Sequence, residues 1–159
     1  MMRFAFLGSG SEGNSLLIEA GDGASVTRVL LDCGFGIKET ARRLERLGVA
    51  PEQLDTVLVT HEHGDHVGSA YAFAARHKLP VHTSHGTWLA TSHMRGADVA
   101  DVRVCCADHS FSVGGLQIHP YTVPHDAREP LQFVLTDGDA RLGVLTDAGM
   151  ETPYVTARL

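Results

Sequence analysis

The chain predicts an α/β fold, with helices laid over at least one face of a mixed sheet. Three observations carry that expectation. The first third alternates short apolar runs with turns, in the manner of strands. Residues 37–47 and 67–75 then change to helical spacing, and from Asp101 onward the pattern returns to strands separated by glycine and aspartate turns.

Arg3–Leu7, Ser15–Glu19 and Val26–Leu31 read as the opening strands, with Gly21-Asp22-Gly23 as a turn between the last two. Ile37, Ala41, Leu44 and Leu47 then form a helical stripe, opposite a solvated face of Lys38, Arg42, Arg43 and Arg46, and Gly48 ends the helix. Thr56-Val57-Leu58-Val59-Thr60 reads as a buried strand. Val67, Ala70, Tyr71, Ala74 and Ala75 mark a second helix opening at His66. Pro80–Thr83 is expected as a short strand and Thr87–His93 as a short helix. Val102–Cys106, Leu116–Val123, Leu131–Thr136 and Arg141–Thr146 follow as strands, with turns at Gly114-Gly115 and Asp137-Gly138-Asp139.

A length of 159 residues without repeat, low-complexity tract or linker fits one domain over 1–159. Hydrophobic content of 43% and charged content of 20% are ordinary for a globular protein. No apolar stretch approaches a membrane span, and Met1–Gly8 is too short for a signal peptide, so we expect a cytoplasmic protein with no membrane partner. Cys33, Cys105 and Cys106 form no CxxC pair and are expected as free thiols in a reducing compartment. The formal net charge of −6 and the absence of a basic run argue against non-specific phosphate binding by surface charge alone.

The chemistry concentrates in His61-Glu62-His63-Gly64-Asp65-His66, directly after the buried strand. Imidazole nitrogens and carboxylate oxygens at a strand end can surround one or two divalent ions such as zinc, manganese or iron. Two other strand ends repeat the arrangement: His125 follows the run Ile118–Val123, and Asp147 follows Leu142–Thr146. Loops at one end of a sheet can assemble a shared site. The other histidines, His77, His82, His85, His93, His109 and His119, are expected to be structural or solvated; His85 and His109 lie beside loop signals and could line a cleft.

HxHxDH, a distant His and a distant Asp, each after a strand, together resemble the metallo-β-lactamase superfamily. Leu30-Leu31-Asp32-Cys33-Gly34 matches that superfamily's first motif. Gly8-Ser9-Gly10-Ser11-Glu12-Gly13-Asn14-Ser15 and Val123-Pro124-His125-Asp126-Ala127 are similar to the WalJ/YycJ-type subgroup of exonucleases and related phosphodiesterases. The resemblance implies an αββα four-layer sandwich, of which Phe4 to about Gly149 would supply the first half and the start of the second.

It also implies the site. His61, His63 and His125 would hold one metal, Asp65 and His66 a second, and Asp147 would bridge them, the ions being zinc or manganese. A hydroxide between the ions would be the nucleophile, with Asp65 also a catalytic residue that orients it. Asp32 would fix a ligand imidazole, Asp126 would support His125, and Glu62 would point away as a structural or solvated residue. Ser9, Ser11 and Asn14 are weaker candidates for phosphate binding. The substrate would be DNA or a small phosphodiester. The family's pattern runs further, to another His beyond the Asp147 position, and Met150–Leu159 contain none. We therefore expect a C-terminally incomplete domain that self-associates or pairs with a missing C-terminal segment.

Two other readings compete. The hydrolase could act on a thioester or lactam, or the chain could be a catalytically incomplete metal-binding fragment. Gly8-Ser9-Gly10-Ser11-Glu12-Gly13 is also a literal GxGxxG with Asp32 about twenty residues on. A dinucleotide site needs a helix at the third glycine, whereas Asn14–Gly21 reads as a strand that pairs back in a hairpin.

Overall fold

The computed structural model describes residues 1–21, 25–94 and 101–159. Among these residues, ten strands form two sheets. The first has the order β1 (Met2–Gly8), β2 (Ser15–Gly21), β3 (Val26–Leu31), β4 (Thr56–Leu58), β5 (Pro80–Thr83) and β6 (Asp101–Val104). Its first three strands are an antiparallel meander, and β3 to β6 run parallel. The second sheet is antiparallel, in the order β10 (Arg141–Val144), β9 (Leu131–Thr136), β8 (Leu116–Thr122) and β7 (Phe111–Val113). The helices are α1 (Ile37–Arg46), α2 (Gly64–Val67), α3 (Ala70–His77), α4 (His85–Ala90) and α5 (Pro153–Arg158).

Three apolar clusters give the layers. Leu17, Leu30 and Val57 on one face of the first sheet pack with Leu44 of α1 and Phe73 and Ala74 of α3. Leu16, Ile18, Val29 and Leu31 on its other face meet Leu116, Ile118, Leu131 and Phe133 of the second sheet. Val155 of α5 packs on Tyr121, Val123 and Val134, on the far side of that second sheet. Helix, sheet, sheet and helix therefore stack in order, each burying an apolar face on the next. The central strands β2 to β4 carry side chains to a core on both faces, so they read as unbroken apolar runs.

The second sheet is narrower than the first and leaves β1 partly uncovered. Phe4 pairs with Ile18 and Phe6 with Leu16, so both rings share the inter-sheet face with those core residues. Phe4 is nonetheless 54% and Phe6 64% exposed. A groove of about 520 Å³ runs between them and β10, from Leu142 to Asp147, and is lined also by Ser9 and Asn14.

Several elements differ from the sequence expectation. The helix expected from His66 is broken in two, because Gly68 (φ +34) turns the chain between α2 and α3. Leu47, read as part of the buried stripe of α1, is exposed; Thr40 and Leu44 are the buried positions. Arg43, assigned to the solvated face, is half-buried, stacks 4.0 Å above the Phe35 ring and donates to the Leu7 carbonyl. The strand β7 and the helix α5 were not anticipated. Conversely, β1 and β2 pair as a hairpin and no helix follows Gly13, which removes the dinucleotide reading. Asp22 and Gly23 of the expected Gly21–Gly23 turn lie outside the described residues. Among those residues, no helix is long and apolar enough to cross a membrane, and Cys33, Cys105 and Cys106 are free.

His82 is a core histidine, the structural of the two alternatives expected for it. It is 6% exposed, and its ring stacks on Phe111 at 4.5 Å. The Thr56 hydroxyl donates to the Pro80 carbonyl and therefore accepts from Nδ1–H of His82 at 2.9 Å. Burial, with Arg103 adding to it, pulls the His82 pKa from 6.5 down to about 4. As pH falls below 6.5 the unfolded chain takes up this proton first, so the contribution is full above that value and is lost towards pH 4. Relative to His82→Phe, the metal-free parent should lose on the order of 2 kcal/mol of stability between pH 7 and 4. Urea unfolding at both pH values checks this, and equal slopes for the two proteins would refute it.

Candidate metal centre

The buried backbone does not stop at Leu58. Val59, Thr60 and His61 follow, all three fully buried, with Val59 N–H bonded to the His82 carbonyl and Leu131 N–H to the Thr60 carbonyl. His63 begins α2, whose first turn carries Asp65 and His66. This loop is pressed against the chain leaving β3 and the chain entering β2: Cys33 N–H reaches the His66 carbonyl at 2.9 Å, and Asn14 N–H the Asp65 carbonyl at 2.7 Å. Only glycine permits so close an approach. A Cβ on Gly34 would lie 1.9 Å from the Asp65 carbonyl oxygen, and one on Gly68 would lie 2.5 Å from that of Cys33.

Six side chains converge at the strand ends. His125 Nε2 lies 3.2 Å from both His61 Nε2 and His63 Nδ1. Asp147 Oδ2 lies 3.5 Å from His61 Nε2, 3.8 Å from His125 Nε2 and 3.0 Å from His66 Nε2. Asp65 Oδ2 is 3.6 Å from His66 Nε2. Donor atoms therefore form two groups, His61-His63-His125-Asp147 and Asp65-His66-Asp147, each within 4.8 Å and sharing Asp147. Every metal-ligand candidate of the sequence reading is brought together here.

The hydrogen bonds behind the cluster fix which way its lone pairs point. Asp32 is 2% exposed, and its carboxylate can only accept. It takes Thr60 N–H at 2.8 Å, the Thr60 hydroxyl at 2.9 Å and His66 Nδ1–H at 2.8 Å. The single Thr60 proton is thereby used, so Thr60 Oγ1 must accept from His61 Nδ1–H, 2.9 Å away. One buried carboxylate thus orients His66 directly and His61 through Thr60. Asp126 does the same for His125 from the solvent side, with Oδ1 3.1 Å from Nδ1. In His61 and His125, Nε2 is left to face the cluster as a lone pair.

Electrostatics agree with this assignment. Burial, reinforced by the neighbouring His66, lowers the His61 pKa to about 4 and keeps its imidazole neutral. Burial opposes protonation of His66 too, but the bond from Asp32 and the charges of Asp32, Asp147 and Asp65 outweigh it and raise its pKa. A proton on His66 Nε2 stands where a cation would stand. Imidazole lone pairs aimed inward and two carboxylates, with the ring protons turned outward, are a donor set that fits divalent zinc or manganese.

Asn14 reaches the centre as well. Its Nδ2 lies 3.1 Å from Asp65 Oδ2 and 3.1 Å from His66 Nε2, held there because Oδ1 accepts Gly10 N–H at 2.9 Å. Ser9 lines the adjoining groove, whereas Ser11 is exposed in the turn and does not. Glu62 points away, as expected, and is bonded rather than solvated. His85 and His109 are both exposed and stand outside the cluster. Thr60 and the fully buried Gln132 were missed by sequence reasoning. Gln132 exchanges two bonds with Thr146, at 2.7 and 3.2 Å, and so sets the strand end before Asp147. The available signal was a lone amide inside the apolar run Leu131–Leu135.

Comparison with known proteins agrees with this geometry. The chain is 29% identical over 159 residues to exodeoxyribonuclease YycJ of Bacillus anthracis, covering 99% of this chain and 57% of that protein. It is 28% identical over 160 residues to exodeoxyribonuclease WalJ of Streptococcus pneumoniae, covering 99% and 56%. The fold is similar to that of the metallo-beta-lactamase fold protein YhfI from Bacillus subtilis, with a TM-score of 0.69, 20% identity and coverage of 89% of this chain and 60% of that one. The chain thus spans somewhat more than half the length of each. The model of the metallo-beta-lactamase superfamily matches residues 8–157, nearly the whole sequence, and the chain belongs to that superfamily.

Proposed function

We propose that this chain is a metal-dependent hydrolase of phosphodiester bonds, of the DNA exonuclease type, acting in the cytoplasm. The observation that carries it is the convergence of four imidazoles and two carboxylates at the ends of both sheets, with the Nδ1 protons of His61 and His66 turned outward. Two divalent ions, zinc or manganese, would supply Lewis acidity and an activated water. His61, His63 and His125 would hold the first, Asp65 and His66 the second, and Asp147 would serve both donor groups. Asp65 would also orient the nucleophile. Asn14 presents an amide N–H beside the same centre, and Ser9 lies along the groove, so both can donate to a phosphate oxygen. Similarity to two exodeoxyribonucleases along 99% of the chain supports DNA as substrate. The three free thiols support a reducing compartment.

A second reading has its own support. The chain spans 57% of the length of its relative from Bacillus anthracis, the second donor group has three side chains, and the face of Phe4 and Phe6 is open. In that reading the chain binds metal but hydrolyses only when a second copy or a C-terminal segment covers this face.

The two are separated by incubating the Mn- or Zn-loaded chain with end-labelled single- and double-stranded DNA and with bis(p-nitrophenyl) phosphate. The exonuclease reading expects stepwise release of mononucleotides, abolished by EDTA and by His63→Ala. Cleavage of the small ester with DNA left intact would move the substrate to small phosphodiesters. Hydrolysis that survives both EDTA and His63→Ala would sink the metal-hydrolase reading. Bound metal without hydrolysis of any of these substrates would favour the second.

A further inference from the structure

Glu62 sits between two of the converging histidines, yet its side chain is committed elsewhere. His61 and His63 face the cluster, whereas the chain bends at Glu62 and its carboxylate is turned to Arg128 and Thr87. There its Oε1 accepts the Arg128 backbone N–H at 2.6 Å and its Oε2 accepts the Thr87 hydroxyl at 3.3 Å. Arg128 belongs to the loop that carries His125. That loop is anchored at its ends, by Gly149 N–H on the Pro124 carbonyl at 2.5 Å and by Leu131 N–H on the Thr60 carbonyl at 2.9 Å. Glu129 adds a contact to the start of α4, accepting Gly86 N–H at 2.5 Å on its carboxylate and the Ser84 hydroxyl at 2.7 Å on its carbonyl. Between them the loop has little packing of its own, since Pro124, Asp126 and Arg128 are all exposed.

We propose that Glu62 is a positioning residue that couples the HxHxDH loop to the His125 loop, so that the third imidazole meets the first two at ligand distance. The inference rests on the metal-centre reading above and deepens it. A metal site tolerates a misplacement of about half an ångström. His125 Nε2 has to lie 3.2 Å from two nitrogens of the neighbouring loop. A charge-assisted bond from that same loop to the backbone three residues beyond His125 fixes the separation directly. Thr87 holds the second carboxylate oxygen and thereby selects the outward rotamer of Glu62. A side chain free to turn would bring a competing carboxylate towards the metal.

The test titrates Co(II) alone into the parent, Glu62→Ala and Glu62→Gln, following the visible d–d absorption and the dissociation constant. Glu62→Gln keeps an amide oxygen for Arg128 N–H. We expect Glu62→Ala to weaken the tighter site by ~10–100-fold and to change its spectrum, as loss of an orienting partner does. Glu62→Gln should stay within about threefold of the parent. Should Glu62→Ala not fold, Glu62→Asp, one methylene too short to reach Arg128, takes its place with the same expectation. Equal affinity and spectrum in the parent and the shortened variant would overturn the proposal and leave the metal-centre reading standing. Glu62→Gln as weak as Glu62→Ala would also overturn it, since charge and not the loop contact would then be at work. A parent that binds no Co(II) would overturn both readings.

Discussion

Replacing Asp32 by Ala is expected to destabilise the metal-free protein by roughly 3–5 kcal/mol and to abolish tight metal binding. Asp32 accepts four hydrogen-bond contacts from Thr60 and His66 while only 2% exposed. Truncation strands Thr60 N–H and its hydroxyl in an interior where both are fully buried. The backbone adds to the loss, because Asp32 is left-handed, with φ +59, a conformation that costs an alanine about 1 kcal/mol and an Asp or Asn less. Asp32→Asn separates the two effects. Its shape and backbone preference are preserved, so stability should fall by only about 1–2 kcal/mol. Its amide, however, would donate towards His66 Nδ1, moving the ring proton to Nε2 and into the centre. Metal affinity should then fall by ~10–100-fold. Urea unfolding in EDTA and zinc calorimetry on the two variants check both halves. Parental zinc affinity in Asp32→Asn would refute the orienting role.

The candidate ligand histidines and aspartates were legible because each follows an apolar run, and a strand end fixes direction as well as position. Asp32 was legible only through a family motif; nothing in its local sequence says that it lies beneath His61 and His66, 29 and 34 positions on. Thr60 was invisible for a related reason. A Thr closing a largely β-branched run reads as strand propensity, and its hydrogen-bond link between Asp32 and His61 exists only once the chain leaving β3 is folded against this segment. The helix break at Gly68 was missed because periodicity on both sides is helical, and the cause is a non-local approach of the Cys33 carbonyl. Leu47 and Arg43 erred in opposite directions. A stripe drawn on an ideal helix ignores that α1 ends at Arg46 and that the Phe35 ring and the Leu7 carbonyl draw Arg43 inward. The strand β7, three residues long, has too few positions for an alternation to register.

Asp147→Asn should behave in the opposite way to the Asp32 variants, leaving the fold intact and disabling the centre. The Asp147 side chain is 42% exposed, and the contacts of Oδ2 are to His61, His66 and His125. The strand end that presents it is held by Gln132 and Thr146, which the substitution does not touch. Stability in EDTA should therefore change by less than about 1 kcal/mol, as for other half-exposed positions. Among the described residues Asp147 is also the one side chain shared by both donor groups, so in the two-metal reading its negative charge would let two cations approach each other. Neutralising it should reduce bound metal from two ions per chain towards one. Hydrolysis should fall by ~10³-fold or more, equivalent to roughly 4 kcal/mol of lost transition-state stabilisation. Elemental analysis of the dialysed parent and variant reads the stoichiometry, and the labelled-DNA assay reads the rate. A parent with two ions and a variant with one would tie Asp147 to the bridge. One ion in both would mean that the Asp65-His66-Asp147 group does not hold metal unaided, the behaviour expected of a centre that another polypeptide segment completes. Two ions in both would remove Asp147 from the metal set, because a neutral amide cannot replace a bridging carboxylate between like charges.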